Sequence, residues 1–260
     1  MIRLAANLSM LFTDLPFLDR FGAAAAAGFR AVECVSPYAE SAEDVADAAR
    51  QHDLTVALFN LPPGDWASGE RGFAADPARV DEFRRSVDTG LDYARATGCT
   101  TLHLMAGKIP PGANRAAWTR TLIDNVGLAA DRAADQGVTL VLEAINTRVD
   151  IPTYFYDRTA DVLAVIDAAG RPNVKLLYDV YHMQIMEGDV ARSIERLLPR
   201  IGHIQIADNP GRHEPGTGEL NFPWLLGRID TLGYDGWIGC EYAPAAGTID
   251  GLGWASPYLH

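Results

Sequence analysis

The sequence predicts a closed barrel of eight parallel strands alternating with helices, an α/β protein of the (β/α)8 TIM-barrel class. Three observations carry that expectation. Short apolar runs alternate with longer amphipathic segments from one end of the chain to the other, and strict β–α alternation implies a parallel sheet with right-handed crossovers. Eight such units fit into about 250 residues, the usual size of this barrel. The turn after the first apolar run, Asn7-Leu8-Ser9-Met10-Leu11-Phe12, contains no glycine, whereas an open doubly wound sheet would carry a glycine-rich phosphate loop there.

The expected strands are Arg3–Asn7, Ala31–Cys34, Thr55–Asn60, 101–105, Thr139–Glu143, Val174–Asp179, 203–207 and 237–242. Each is a short apolar run of strand length. Helical patterns fill the intervals at 16–27, 42–52, 77–97, 115–136, Thr159–Ala169, 189–198 and 222–232. Gly28, Gly98, Gly137, Gly170 and Gly233 follow five of them, as expected where a left-handed residue ends a helix. No shift in composition marks a boundary, so residues 1–260 read as one domain. The longest irregular stretch, LPPGDWASGERGFAAD at 61–76, follows the third strand; loops of that length in a compact domain usually bind or cover something.

Composition narrows the function classes. The 260 residues are 48% hydrophobic and 22% charged, ordinary for a globular chain. A domain of this size buries about three quarters of its unfolded surface and needs no disulfide to fold. Cys34, Cys99 and Cys240 are widely spaced and odd in number, which suits a reducing, cytoplasmic setting. No apolar run approaches the length of a membrane span, and the start of the chain lacks the pattern of an export signal. The net charge of −12 and the absence of a basic patch argue against a nucleic-acid partner. Assembly into a homo-oligomer is left open. No GxSxG, P-loop, HExxH or Cys–His signature is present, so covalent hydrolysis has no support.

The chemistry is expected at the C-terminal strand ends. There the fifth strand offers Glu143, the sixth Asp179, the seventh Gln205 and the eighth Glu241. A carboxylate inside an apolar run is costly unless it is paired or metal-bound. Three carboxylates and an amide oxygen on adjacent strands make a hard, oxygen-rich site for one divalent ion, Mg2+ or Mn2+. His182 lies three residues past Asp179, within reach of a substrate oxygen. Arg212, in the Gly- and Pro-rich loop DNPGRHEPGTGE, suits bidentate binding of a carboxylate. Asn60 and Lys108 fall at or just beyond strand ends and are candidate substrate contacts, as are Asn7 and Glu33 with less individual weight. His203 and His103 lie on strands, where a histidine with satisfied partners is equally expected.

The segments LEAINTRVDIPTYF, YDVYHMQ, GHIQIADNPGRHEPGTGE and GCEYAP, with LFNLPPGDWASGERGFAADP and LAANLSMLF, resemble those of hydroxypyruvate isomerases and the related 2-oxo-tetronate isomerases. The resemblance runs over nearly the whole chain and implies a xylose-isomerase-like TIM barrel. It implies that Glu143, Asp179, Gln205 and Glu241 hold one divalent metal, and that Glu143 and Glu241 are the proton donor and acceptor. By similarity to the ketose epimerases, His182 and Arg212 contact substrate oxygens. The substrate implied is a small anionic hydroxy-oxo acid. The reaction implied interconverts hydroxypyruvate and 2-hydroxy-3-oxopropanoate (tartronate semialdehyde) through an enediolate. The alternatives on the same site are 2-oxo-tetronate isomerisation, ketose 3-epimerisation and an inosose-dehydratase-like elimination. The epimerases usually have His where Gln205 stands, which lowers the weight of the epimerase alternative. Ala144 stands where proline would be expected, a small change to the backbone.

Overall fold

Eight strands pair edge to edge in chain order, all parallel, and the eighth closes on the first. In the computed structural model, which describes residues 1–259, they are β1 (Arg3–Asn7), β2 (Ala31–Cys34), β3 (Thr55–Asn60), β4 (Thr101–His103), β5 (Thr139–Glu143), β6 (Val174–Asp179), β7 (Ile201–Ile206) and β8 (Trp237–Cys240). The helices are α1 (Asp19–Ala26), α2 (Ala42–Gln51), α3 (Val80–Thr97), α4 (Arg115–Ala134), α5 (Thr159–Ala169), α6 (Val180–Met186), α7 (Val190–Leu197) and α8 (Phe222–Thr231).

Side chains alternate across each strand, so residues two apart share a face. On the outer face Leu4, Val32, Leu140, Leu176, Ile204 and Ile238 pack with the helices in one continuous apolar cluster. Full burial of each such side chain contributes about 1.5–3 kcal/mol. On the inner face lie two smaller groups, Ala5 with Ala31 and Ala57, and Leu58 with Val141 and Leu177. These precede polar residues by two positions: Ala5 before Asn7, Ala31 before Glu33, Val141 before Glu143, Leu177 before Asp179. The interior therefore changes from apolar to polar one pleat before the strands end.

Local signals close the helices as expected. Ser41 and Asn114 cap α2 and α4 by accepting from the backbone N–H of Asp44 and Ala117. Gly98 and Gly170 end α3 and α5 at φ 71° and 62°, a left-handed geometry that costs glycine nothing.

The structure corrects several expected boundaries. The fourth strand stops at His103, because beyond it Ala106 pairs with Gly72 of the 61–76 loop instead. The seventh runs two residues further back, to Ile201, behind a 3-10 turn at Leu198–Arg200. The eighth ends at Cys240, leaving Glu241 one residue past the strand. The first helix begins at Asp19 rather than at 16. Helix α6 was not anticipated. It starts directly after β6, and its apolar Val180, Tyr181, Met183 and Met186 are buried, so no polar break separates strand from helix. Among the described residues no helix is long and apolar enough to cross a membrane.

Candidate active site

Four oxygen-bearing side chains stand on consecutive strands. Strand β5 ends in Glu143 and β6 in Asp179, β7 carries Gln205, and Glu241 follows β8. Pairing register sets their heights: Glu143 is level with Leu177, Asp179 with Gln205, and Gln205 with Gly239. Ligand atoms of Glu143, Asp179, Glu241 and His182 all lie within 4.8 Å of one another. Glu143, Asp179 and Gln205 are buried and Glu241 is half-buried.

A polar network underlies this set. Glu33 reaches across the barrel interior, where its Oε1 accepts from Asn7 Nδ2 at 3.0 Å and from Gln205 Nε2 at 2.7 Å. Its Oε2 lies 2.7 Å from His203 Nε2. Gly239 makes room for this carboxylate, since a Cβ there would collide with both Glu33 oxygens. With its nitrogen committed to Glu33, Gln205 has its carbonyl oxygen buried and without a hydrogen-bond partner among the described residues. Glu143 Oε1 and Asp179 Oδ2 are in the same condition. An unsatisfied buried acceptor costs about 1–3 kcal/mol. Three of them, beside Glu241, fit a divalent cation that would satisfy all at once. The all-oxygen donor set suits a hard ion such as Mg2+ or Mn2+.

His182 also lies close, with Nε2 3.5 Å from Glu143 Oε1 and 3.8 Å from Asp179 Oδ2. Its tautomer argues against a ligand role. Asn146 Oδ1 accepts from the backbone N–H of Val149 at 2.9 Å and of Asp150 at 3.0 Å. The Asn146 amide nitrogen therefore faces the other way, donating to Asp150 Oδ2 at 2.5 Å and to His182 Nδ1 at 2.7 Å. Because Nδ1 accepts, the neutral ring carries its proton on Nε2. Burial, then the nearby Arg212 charge, push the His182 pKa well below its usual value, so the ring is neutral. It presents an N–H donor to the carboxylate cluster, and α6 holds it there, since Asp179 Oδ1 accepts the His182 backbone N–H at 3.1 Å.

Arg212 joins the two ends of the site. Its Nη2 donates to Glu241 Oε2 at 2.6 Å and its Nη1 to Asp150 Oδ1 at 3.1 Å. Its guanidinium carbon stands 5.1 Å from the centroid of the Tyr181 ring. Burial opposes the charge, but Glu241, Asp179 and Asp150 outweigh it and hold the Arg212 pKa above its ordinary value. The carboxyls respond to desolvation in the opposite sense. Burial, then Asp179 and Glu241, raise Glu143 well above the carboxylate range. Burial raises Glu241 to about 8 and Asp179 to about 6, in each case against the pull of Arg212.

These groups open into a cavity of 520 Å3 whose lining includes Asn60, His103, Glu143, His182, Arg212 and Glu241. A larger hollow of 790 Å3, between residues 12–15 and 246–250, holds none of the buried carboxylates. Asn60 thus joins the site. Its Oδ1 lies 3.2 Å from His103 Nδ1, and burial lowers the His103 pKa to about 3. Lys108 does not line this cavity: its exposed ammonium donates to Gly69 O at 3.2 Å and lines a separate 340 Å3 hollow behind the 61–76 loop. His203 is a satisfied interior histidine. Glu33, individually weak in sequence, is the hub of the supporting network. Asn146 and Asp150 escaped the sequence reading. Asn146 is buried three residues after Glu143, and Asp150 is half-buried four residues further on, past the exposed Arg148 and Val149.

The family described as Xylose isomerase-like TIM barrel matches residues 21–258. A 2-oxo-tetronate isomerase of Cupriavidus necator is 53% identical over 259 residues, covering 100% of this chain and 99% of that protein. The hydroxypyruvate isomerase of Escherichia coli is 44% identical over 258 residues, covering 99% and 100%. Among solved structures, one named AP endonuclease, family 2, from Brucella melitensis superposes with a TM-score of 0.97 at 48% identity, covering 100% of both chains.

Two outcomes follow from this geometry. An acid whose pKa is raised in the folded state stabilises the fold fully below its unfolded value near pH 4 and loses that contribution as pH rises through the folded value. For Asp179 and Glu241 the loss runs from about pH 4 through about 6 and about 8. Chelator-treated protein is therefore expected to melt lower at pH 8.5 than at pH 5.5. Added Mg2+ or Mn2+ should raise the melting temperature more at the higher pH, because the cation and protons compete for the same oxygens. Calorimetry with and without metal checks both, and equal metal effects at the two pH values would contradict the linkage. Separately, Asn146→Asp should reverse the His182 tautomer, because a carboxylate can only accept from Nδ1–H. Ring 15N shifts should then place the proton on Nδ1 in the variant and on Nε2 in the parent protein.

Proposed function

Because the chain belongs to the xylose isomerase-like TIM barrel family, we propose that it is a metal-dependent isomerase of short 2-oxo acids. The reaction we assign is the interconversion of hydroxypyruvate and 2-hydroxy-3-oxopropanoate. The observation that carries the reading is the pair Glu143 and Glu241, two carboxyls with raised pKa at the first and last of four consecutive strand ends, grouped with unpartnered buried oxygens. The relatives named hydroxypyruvate isomerase and 2-oxo-tetronate isomerase support it.

The chemistry asks little of the protein beyond placement. A proton leaves C3, beside the C2 carbonyl, and arrives at C2, while the hydroxyl hydrogen moves from O3 to O2. No external reductant or oxidant is consumed. Glu143, Asp179, Gln205 and Glu241 would hold a divalent ion, which would supply Lewis-acid chemistry at the site. One of the two Glu side chains takes the C3 proton and one returns a proton at C2. Acid–base groups placed for such an exchange contribute about a hundred- to ten-thousandfold. His182 Nε2–H donates to the oxygen on which charge develops, with a tautomer already set by Asn146. Arg212 holds Glu241 in place and contacts substrate from the same side.

A second reading, 2-oxo-tetronate isomerisation, is favoured by the relative from Cupriavidus necator. It moves a proton between the same two carbons, and the 520 Å3 cavity accommodates a fourth carbon. A nuclease activity, which the name of the Brucella melitensis protein suggests, fits neither the net charge of −12 nor an all-oxygen donor set. The proposed partner is the small anionic substrate alone, and a cytoplasmic location remains our expectation from the cysteine usage.

Incubation in D2O with Mg2+ or Mn2+ tests the reading. Deuterium should appear at C3 of hydroxypyruvate or a 2-oxo-tetronate, and at C2 of the product, faster than at the corresponding carbons of a neutral ketose. Glu143→Gln and Glu241→Gln should each reduce turnover by roughly a thousandfold. Retained activity in either variant would remove the two-carboxylate scheme.

A further inference from the structure

The site as described lacks a place for the substrate's own carboxylate. Among the described residues, two cationic side chains line the 520 Å3 cavity, Arg71 and Arg212. Arg212 already faces two carboxylates, Glu241 and Asp150, and adding a third anion there would compete with a pairing that positions Glu241. Lys108 lies outside the cavity.

Arg71 is different. It sits in the 61–76 loop, half-buried, and no carboxylate pairs with it among the described residues. Its guanidinium carbon is 3.8 Å from the centroid of the Trp66 ring. Among the described residues its hydrogen bonds use Nη1 alone, to Trp66 O at 3.1 Å and Glu70 O at 2.6 Å. Two backbone carbonyls and an indole face therefore orient the fork and leave its other N–H groups available. Burial lowers its pKa, the mark of a cation drawn partly out of water.

The loop that carries Arg71 is fixed. Glu70 is gripped by Arg79 at 2.5 Å and accepts the backbone N–H of Asp65 at 2.7 Å. Gly72 pairs with Ala106, and a Cβ at Gly72 would collide with Met105, so this stretch of the loop lies directly on the backbone that leaves β4. Trp66, 41% exposed, lines the same cavity. An exposed indole held against an oriented, unpaired guanidinium, at the mouth of an otherwise acidic site, is a receptor for a planar anion.

We propose that Arg71, braced by Trp66, binds the C1 carboxylate of the substrate and makes this site selective for 2-oxo acids over neutral sugars. The inference rests on the 2-oxo acid reading above. It gives the 61–76 loop a specific task and moves the carboxylate anchor from Arg212 to Arg71.

The test compares hydroxypyruvate with dihydroxyacetone, which has CH2OH in place of the carboxylate. With Mg2+ or Mn2+ in D2O, Arg71→Ala and Arg71→Gln should raise KM for hydroxypyruvate by roughly thirtyfold, the worth of a charge-assisted hydrogen bond. Turnover at saturation should change by less than about threefold. The preference in kcat/KM for hydroxypyruvate over dihydroxyacetone should fall by a similar thirtyfold. Arg71→Lys should recover part of that preference. An unchanged KM with reduced kcat, or equal losses on both substrates, would reduce Arg71 to a brace for the loop and overturn the proposal. Parent protein that exchanges protons on ketoses but not on 2-oxo acids would overturn the functional reading, and this assignment with it. Normal turnover of 2-oxo acids with unaltered preference in the variants would overturn this assignment alone.

Discussion

The burial of like charges governs this molecule. Glu143, Asp179 and Glu241 approach one another within 4.8 Å at the end of a barrel, and Arg212 is the cation that offsets them among the described residues. Removing an ion from water costs several kcal/mol even after the surroundings relax, and repulsion adds to that. The raised pKa values of all three carboxyls express this cost. Much else in the upper half of the barrel can be read as a means of holding the cluster in place or of relieving it.

Glu33 shows how the holding is done. One buried carboxylate engages Asn7 of β1 and His203 and Gln205 of β7. Its claim on the Gln205 amide nitrogen leaves the Gln205 oxygen for the site. An amide can point either end at a ligand, and here the choice is made by a neighbour in the barrel interior. Asn146 does the same for His182: two backbone N–H groups fix the amide, and the amide fixes the imidazole tautomer. In both cases a group with two possible faces is reduced to one by a neighbouring side chain. Such outer contacts set what the inner groups can do.

The barrel and the four strand-end oxygens were legible because both depend on local pattern. A period-two alternation places Val141 and Glu143, or Leu177 and Asp179, on one face whatever the rest of the chain does. The eight strands fell within two residues of their expected limits for the same reason. Helix α6 was hidden because β6 and α6 are both apolar and share Asp179 as strand end and cap. Lys108 was misplaced because its distance from a strand end says nothing about which side of a loop it emerges on. Asp150 and Arg71 were missed for a deeper reason. Each acquires its role only through a partner distant in sequence, Arg212 for Asp150, sixty-two residues away, and the cavity itself for Arg71.

The division of labour between strands and loops follows from stiffness. In the reaction we propose, proton transfer between C2 and C3 tolerates little misplacement, and the groups assigned to it stand at strand ends and on a helix that begins where a strand ends. Recognition of the remote carboxylate has wider tolerance, because an oriented guanidinium attracts an anion over a range of approach. It can therefore reside in the 61–76 loop, provided that the loop is pinned, as Glu70, Arg79 and the Gly72–Ala106 pairing pin it. The net charge of −12 makes this local cation more consequential. An anionic substrate gains nothing from the long-range field, so its capture depends on charges inside the mouth. Arg71 lines that mouth without a carboxylate partner among the described residues, whereas Arg212 is already engaged with Glu241 and Asp150.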